Sequence, residues 1–140
     1  MFGFEADALH PMTIHFPIAL LTMSFVFDFG GIISRKESLN AAGFWCLLTG
    51  VASFIPAVVT GFWADESYGH MDDPFPIYST HGSMQILGGV LFLGLLVWRL
   101  RQKSELPARP LVFAYLALNS LIVALVSYGA HLGAILGERI

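Results

Sequence analysis

The sequence predicts an all-α integral membrane protein: a single domain over residues 1–140, folded as an up-down four-helix bundle with both termini on the outer side. Three observations predict it. Hydrophobic residues make up 56% of the chain and charged residues 12%, about half the charged share of an ordinary soluble domain. Four apolar stretches each approach the ~20 residues that a bilayer crossing needs. The basic residues gather in two of the three connections between those stretches. A mean hydropathy of +0.70 excludes a disordered chain. A net charge of −3 and a pI near 5.9 argue against nucleic acid as a partner. The single Cys46 excludes a disulfide framework, a cysteine-held cluster and a thioether-linked haem.

The first span is expected over residues 14–33, with Pro17 inside it. Ser34 to Ser38 is the polar break before the second, at 41–62, which Asn40 can cap and which Pro56 interrupts. Ser79 and Thr80 are cap candidates for the third, at 82–98. Pro107 and Pro110 separate it from the fourth, at 111–136, with Pro110 suited to a first helical turn.

Six of the seven basic residues lie in two connections, Arg35 and Lys36 in one and Arg99, Arg101, Lys103 and Arg109 in the other. An even number of spans puts these connections on one side, and positive loops stay in the cytoplasm. The remaining connection holds Asp65, Glu66, Asp72 and Asp73 with no base, so it faces outward with both termini. The N-terminus lacks the basic start and cleavage site of a secretory leader, so no cleaved peptide is expected. Trp63, Tyr68 and Tyr78 suit an outer interfacial belt, and Trp98 an inner one.

In this topology all five histidines lie toward the outer side. His15 stands 20 residues from Arg35, His81 18 from Arg99 and His131 21 from Pro110. At ~1.5 Å per residue, three helices present imidazole roughly 27–32 Å from the inner surface. His10 sits just ahead of the first span, before Pro11, and is expected outside the helix; His70 lies in the acidic loop. Stripes of small or weakly polar residues run back from these levels: Ala19, Thr22 and Val26 from His15, and Gln85, Gly88 and Phe92 from His81. From His131 the stripe is Ser127, Ala124, Ser120 and Ala117; on the second helix it is Thr60, Pro56, Ser53, Thr49 and Cys46. Small residues mark helix–helix contact in lipid, so the histidines are expected to point into the bundle mouth.

Asp28, inside the first span, reads as a carboxylate reaching Arg35 or the cluster of Arg99, Arg101 and Lys103. Gly129, Gly133 and Gly137 form a ridge for close packing against another helix or a partner subunit. Asn119 reads as an interhelical hydrogen-bonding group.

The run His10-Pro11-Met12-Thr13-Ile14-His15-Phe16-Pro17-Ile18-Ala19-Leu20 resembles the HPxxxHFPIAL signature of the domain of unknown function 2231, a family of bacterial membrane proteins. Asp28 late in the first helix, Gly61-Phe62 ending the second, His81 opening the third and the glycine- and histidine-rich stretch from Gly129 to Gly137 extend the likeness over nearly the whole chain. The resemblance implies a bacterial inner-membrane location. Relatives that occur beside or fused to cytochrome c or Rieske-type domains imply a role in electron transfer, here with a separate redox partner.

Three functions compete. A small b-type cytochrome would hold haem b between two imidazoles across the bundle. The paired ligands expected are His15 and His81, because the first and third helices are diagonal and leave room for two side chains and a metal. His131 and His10 would then contact the edge of the cofactor or complete a second site. A non-haem copper or zinc site could use the same four histidines. An accessory subunit would instead dock into a larger respiratory or photosynthetic redox complex. The acidic loop suits a basic soluble carrier such as a cytochrome c. No nucleophile–base pair, phosphate loop or metalloprotease motif marks an enzyme.

Overall fold

Four helices account for almost all of the computed structural model, which describes residues 6–68 and 70–137. They are α1 (Ala6–Ser34), α2 (Glu37–Tyr68), α3 (His81–Arg101) and α4 (Leu111–Leu136). Short 3-10 turns at His70–Asp72 and Ile77–Ser79 shape the connection from α2 to α3. All four helices are long and apolar enough to cross a membrane. Only 28–33% of the most apolar window of each helix is buried within the chain. The remainder presents Phe16, Phe29, Ile55, Val59, Val90 and Leu121 outward, a surface that suits lipid and not water.

α1 packs on α2 and α4, and α3 packs on α4 and α2, so α1 and α3 are diagonal as expected for an up-down bundle. The inward stripe of each helix advances by threes and fours, the repeat of coiled-coil-like packing. On α1 it is Pro17, Leu21, Ser24, Asp28 and Gly31; on α2 it is Gly43, Leu47, Gly50, Phe54 and Ala57. On α3 it is Gly88, Phe92, Leu95 and Arg99, and on α4 Val112, Leu116, Asn119, Ile122, Val126 and Gly129. Leu21, Leu47, Phe92, Leu95, Tyr115 and Ile122 form the centre of the core.

Four boundaries differ from those expected, one of them the end of α2, which continues from residue 62 to Tyr68. α1 starts at Ala6, so His10 is helical and not outside the helix, and both Pro11 and Pro17 lie within it. Side chains compensate for the weakened turn: Thr13 Oγ1 donates to the His10 carbonyl at 2.9 Å and lies 2.8 Å from Thr60 Oγ1 on α2. Asn40 does not cap α2, because that helix already begins at Glu37. α3 runs on to Arg101, which makes Arg99 a helical residue and not a loop residue. Thr80 does occupy the N-cap position of α3, without a capping hydrogen bond from its side chain. The side chains of Glu66, Tyr68 and His70 lie outside the described residues.

Candidate functional site

Two polar constellations interrupt the apolar interior, one at each end of the bundle. At the end shared by the start of α1 and the start of α3, the rings of His10 and His81 meet edge to face, with centroids 6.1 Å apart and planes at 72°. His81 Nδ1 lies 2.6 Å from the Gly129 carbonyl of α4. A carbonyl can only accept, so the proton of neutral His81 resides on Nδ1 and the lone pair on Nε2. His10 Nδ1 lies 3.2 Å from Thr60 Oγ1. Thr60 Oγ1 also lies 2.9 Å from the Pro56 carbonyl and 2.8 Å from Thr13 Oγ1, so its one proton is shared within a small hydroxyl cluster that holds the His10 ring against α2. A ring nitrogen donating to an oxygen while the other carries the lone pair is the arrangement of a histidine prepared as a metal ligand.

Glycines make room for both rings. A Cβ on Gly133 would lie 2.6 Å from two atoms of His81, and one on Gly61 would lie 3.0 Å from His10. The ridge of Gly129 and Gly133 therefore packs inside the chain, against α3. Gln85, one turn below His81, donates to the Val126 carbonyl at 3.0 Å and ties α3 to α4. Between the rings and the hydrophobic core lies a cavity of about 120 Å³, lined by His10, Ile14, Pro17, Phe54, Ala57, Gly61, His81, Gln85 and Gly133. A wider, open depression of about 520 Å³ adjoins the other side of His81, between Asp73, Phe75, Thr80, Leu132 and Ile135.

The inward orientation expected of the histidines therefore holds for His10 and His81 and fails for two others. His15 is exposed, its Nδ1 bonded back to the Pro11 carbonyl of its own helix, and His131 is exposed on α4. The reason is rotational. Five residues of helix turn the chain by about 140°, so His10 and His15 cannot share a face once both are helical. The stripes assigned to His15 and His131 turn out with them: Ala19, Val26, Ala117, Ala124 and Ser127 are exposed. The stripe of α3 is the one placed correctly. A diagonal pair across α1 and α3 was expected, and the structure forms one with His10 in place of His15.

At the other end, Arg99 and Asp28 form an ion pair at 2.6 Å with both side chains at 0% exposure. Arg99 is the hub of all four helices. Its Nη1 donates to Asp28 of α1 and to Tyr115 Oη of α4, its Nη2 to the Asn40 carbonyl of α2 at 2.7 Å, and its Nε to the Ser104 carbonyl beyond its own helix. Tyr115 donates to the same carboxylate oxygen at 3.3 Å. The guanidinium also lies 5.9 Å from the centre of the Phe44 ring and 5.7 Å from that of Tyr115. A planar fork with five donors can serve this many acceptors at once, whereas an ammonium group cannot. Asp28 thus selects Arg99 from the basic cluster, leaving Arg35, Arg101, Lys103 and Arg109 at the surface.

The two constellations are in register. Asp28 follows His10 by eighteen residues on α1, and Arg99 follows His81 by eighteen on α3. Each diagonal helix contributes one member to each pair, with the pairs separated by about 27 Å of helix. Sequence reasoning placed Thr60 on a packing stripe without pairing it to a histidine, and it missed Tyr115 and the depth of Arg99. Their signal was spacing: Tyr115 is four residues before Asn119, and Arg99 continues the stripe of His81, Gln85, Gly88 and Phe92.

The chain belongs to the family described as predicted membrane protein (DUF2231), whose profile matches residues 6–139. No curated protein and no solved structure matches it.

Proposed function

From family membership and the histidine geometry, we propose that this membrane protein is a small electron-transfer protein, its centre a haem held by His10 and His81. One observation carries the reading: two imidazoles from diagonal helices meet edge to face with ring centroids 6.1 Å apart. With metal–nitrogen bonds of about 2.0–2.1 Å and ring centres about 1 Å beyond the nitrogens, imidazoles on opposite sides of one metal have centroids about 6 Å apart. Haem brings four ligands of its own and asks the protein for two. Zinc asks for three or four, and among the described residues no three His, Cys, Asp or Glu side chains converge. The ligand number therefore favours haem.

The cavity supports a different reading. At about 120 Å³ it has room for an ion and a few waters. A macrocycle enters only if the α1–α2 and α3–α4 hairpins part at this end. The larger depression beside His81 excludes His10 and would supply one ligand only. A single copper ion on two imidazoles, completed by water, needs no opening. In either form the bound centre supplies the one-electron couple. The Gly129 carbonyl holds His81 in the tautomer with Nε2 unprotonated, Thr60 orients His10, and Gly61 and Gly133 let the rings lie against the helices.

The absorption spectrum and metal content of the purified, detergent-solubilised protein decide between these readings. Sharp Soret and α bands are the expected result. Copper without those bands supports the bare-ion reading. A colourless, metal-free protein leaves the accessory-subunit reading and removes electron transfer through this site.

The orientation proposed places the histidine end outside, because Arg35, Lys36, Arg101, Lys103 and Arg109 ring the opposite end and Asp65, Asp72 and Asp73 border this one. With Cys46 replaced by serine, an impermeant thiol reagent on intact cells should label Asp72→Cys and spare Ser38→Cys and Ser104→Cys. The reverse pattern would place the histidines in the cytoplasm. The exposed Asp72 and Asp73 also give a basic soluble electron carrier a place to dock beside the site. Electron exchange with such a carrier should slow as ionic strength rises. A rate independent of salt would rule that docking out.

A further inference from the structure

Charged and polar groups deep in a membrane bundle must find partners inside it, and three fully buried residues near the ion pair do not find them in protein; half-buried Asn40, whose Oδ1 lies against Gly31, does not either. Ser24 Oγ, Asp28 Oδ1 and both side-chain amide atoms of Asn119 are buried and hydrogen-bond to no described residue. All three residues have 0% exposure, so bilayer headgroups and bulk water do not reach them either. Native interiors pair nearly all such atoms, with protein or with an ordered water.

These atoms share one region. Ser24 is one helical turn from Asp28 on the buried stripe of α1, and Asn119 is one turn from Tyr115 on that of α4. Tyr115 Oη touches Asp28 Oδ2, and α1 packs directly on α4. Oδ2 takes the protons of Arg99 and Tyr115, which leaves Oδ1 as the unused acceptor of the carboxylate. Oδ1 lies against Gly43 of α2, where any Cβ would collide with it. The hydroxyl of Ser24 makes an informative contrast. Ser34 on the same helix, Ser53 on α2 and Ser120 and Ser127 on α4 all donate to a carbonyl of the preceding turn. Ser24 makes no such bond, although that local partner is always available in a helix.

The chemistry of the unmet groups is complementary to water and not to an ion. They comprise donors (the Asn119 amide and the Ser24 hydroxyl) and acceptors (Asp28 Oδ1, Asn119 Oδ1 and Ser24 Oγ). A cation would meet the nearby charge of Arg99, and an anion would meet Asp28. One or two water molecules, each making about three hydrogen bonds, satisfy both kinds of group. We propose that Ser24, Asp28 and Asn119 enclose an internal water site on the core side of the Arg99–Asp28 pair, which hydrates the free oxygen of that ion pair. The site is independent of any centre at His10 and His81.

Brief X-ray radiolysis of the intact protein in detergent tests this, because hydroxyl radicals made from bound water oxidise the side chains next to it. Heavy-oxygen water added before exposure marks the products. Tyr115, beside the site, should be oxidised several-fold faster than Phe92, an aromatic equally buried in the core and about two turns away from Arg99 on α3. Equal, background-level oxidation of Tyr115 and Phe92 would overturn the proposal. Ser24→Ala, which removes one hydroxyl and leaves the packing intact, should lower the Tyr115 signal, and Asn119→Leu should lower it further. An unchanged Tyr115 signal in folded Ser24→Ala and Asn119→Leu proteins would mean that water reaches Tyr115 by another route, and the assignment of these residues would fail.

Discussion

Alanine at His10 or at His81 is expected to abolish the bound centre, while alanine at His15 or His131 leaves it in place. Of the four, only His10 and His81 are turned into the bundle and within reach of each other. The exposed His15 and His131 stand on outer surfaces. If His10 and His81 hold the proposed centre, loss of either would leave one imidazole where two are required, so the effect on occupancy should be near complete. Thr60→Val should act more weakly. It removes the oxygen that orients His10 but not the ligand itself, and changes of that kind cost roughly 10–100-fold in metal affinity. The graded order, in which the two histidines far exceed Thr60 and Thr60 exceeds the exposed histidines, is read from cofactor content per mole of folded protein. Retention of the centre in His10→Ala together with its loss in His15→Ala would return the assignment to His15.

Much of this architecture could be read from the chain, and the failures have one physical cause. Span number, span length and the diagonal relation of α1 and α3 follow from hydropathy and short connections, because the bilayer fixes helix length. Facing does not follow from hydropathy. In water the apolar side of a helix points inward, but in lipid both sides are apolar, and small residues occur on either. Ala19, Ala117 and Ala124 looked like packing residues and are exposed. Polar side chains inside the spans are the better guide, since lipid will not accept them. Counting back from Asp28 by fours and threes passes Ser24, Leu21, Pro17 and Ile14 and reaches His10. The same count from Arg99 passes Leu95, Phe92, Gly88 and Gln85 and reaches His81. Both histidines of the pair were thus encoded by the ion pair eighteen residues away. What hid His10 was Pro11, which suggested a helix start where the helix continues.

The largest stability effect is expected at Arg99. Replacing it with methionine keeps an unbranched apolar stem but removes the guanidinium, and strands the Asp28 carboxylate at 0% exposure with the Tyr115 hydroxyl and no counter-charge. Removing one partner of a buried ion pair typically costs about 3–5 kcal/mol, because the remaining charge has lost its counter-charge and one or two internal waters do not replace it. Here the substitution also leaves the Asn40 and Ser104 carbonyls without their donor, so the upper part of that range applies. Arg99→Lys should fall between, since one ammonium cannot reach α1, α2 and α4 together. The informative protein is the double variant Asp28→Leu/Arg99→Met. If the loss in Arg99→Met comes from a stranded charge, removing that charge as well should restore most of the stability, because an apolar pair of similar volume often equals or exceeds a buried ion pair. Reversible unfolding in mixed detergent micelles measures these three proteins and the Asp28→Leu single variant. A double variant as unstable as the sum of its two single variants would show that Arg99 acts by bridging the four helices through Asn40, Ser104 and Tyr115, with its charge on Asp28 contributing little.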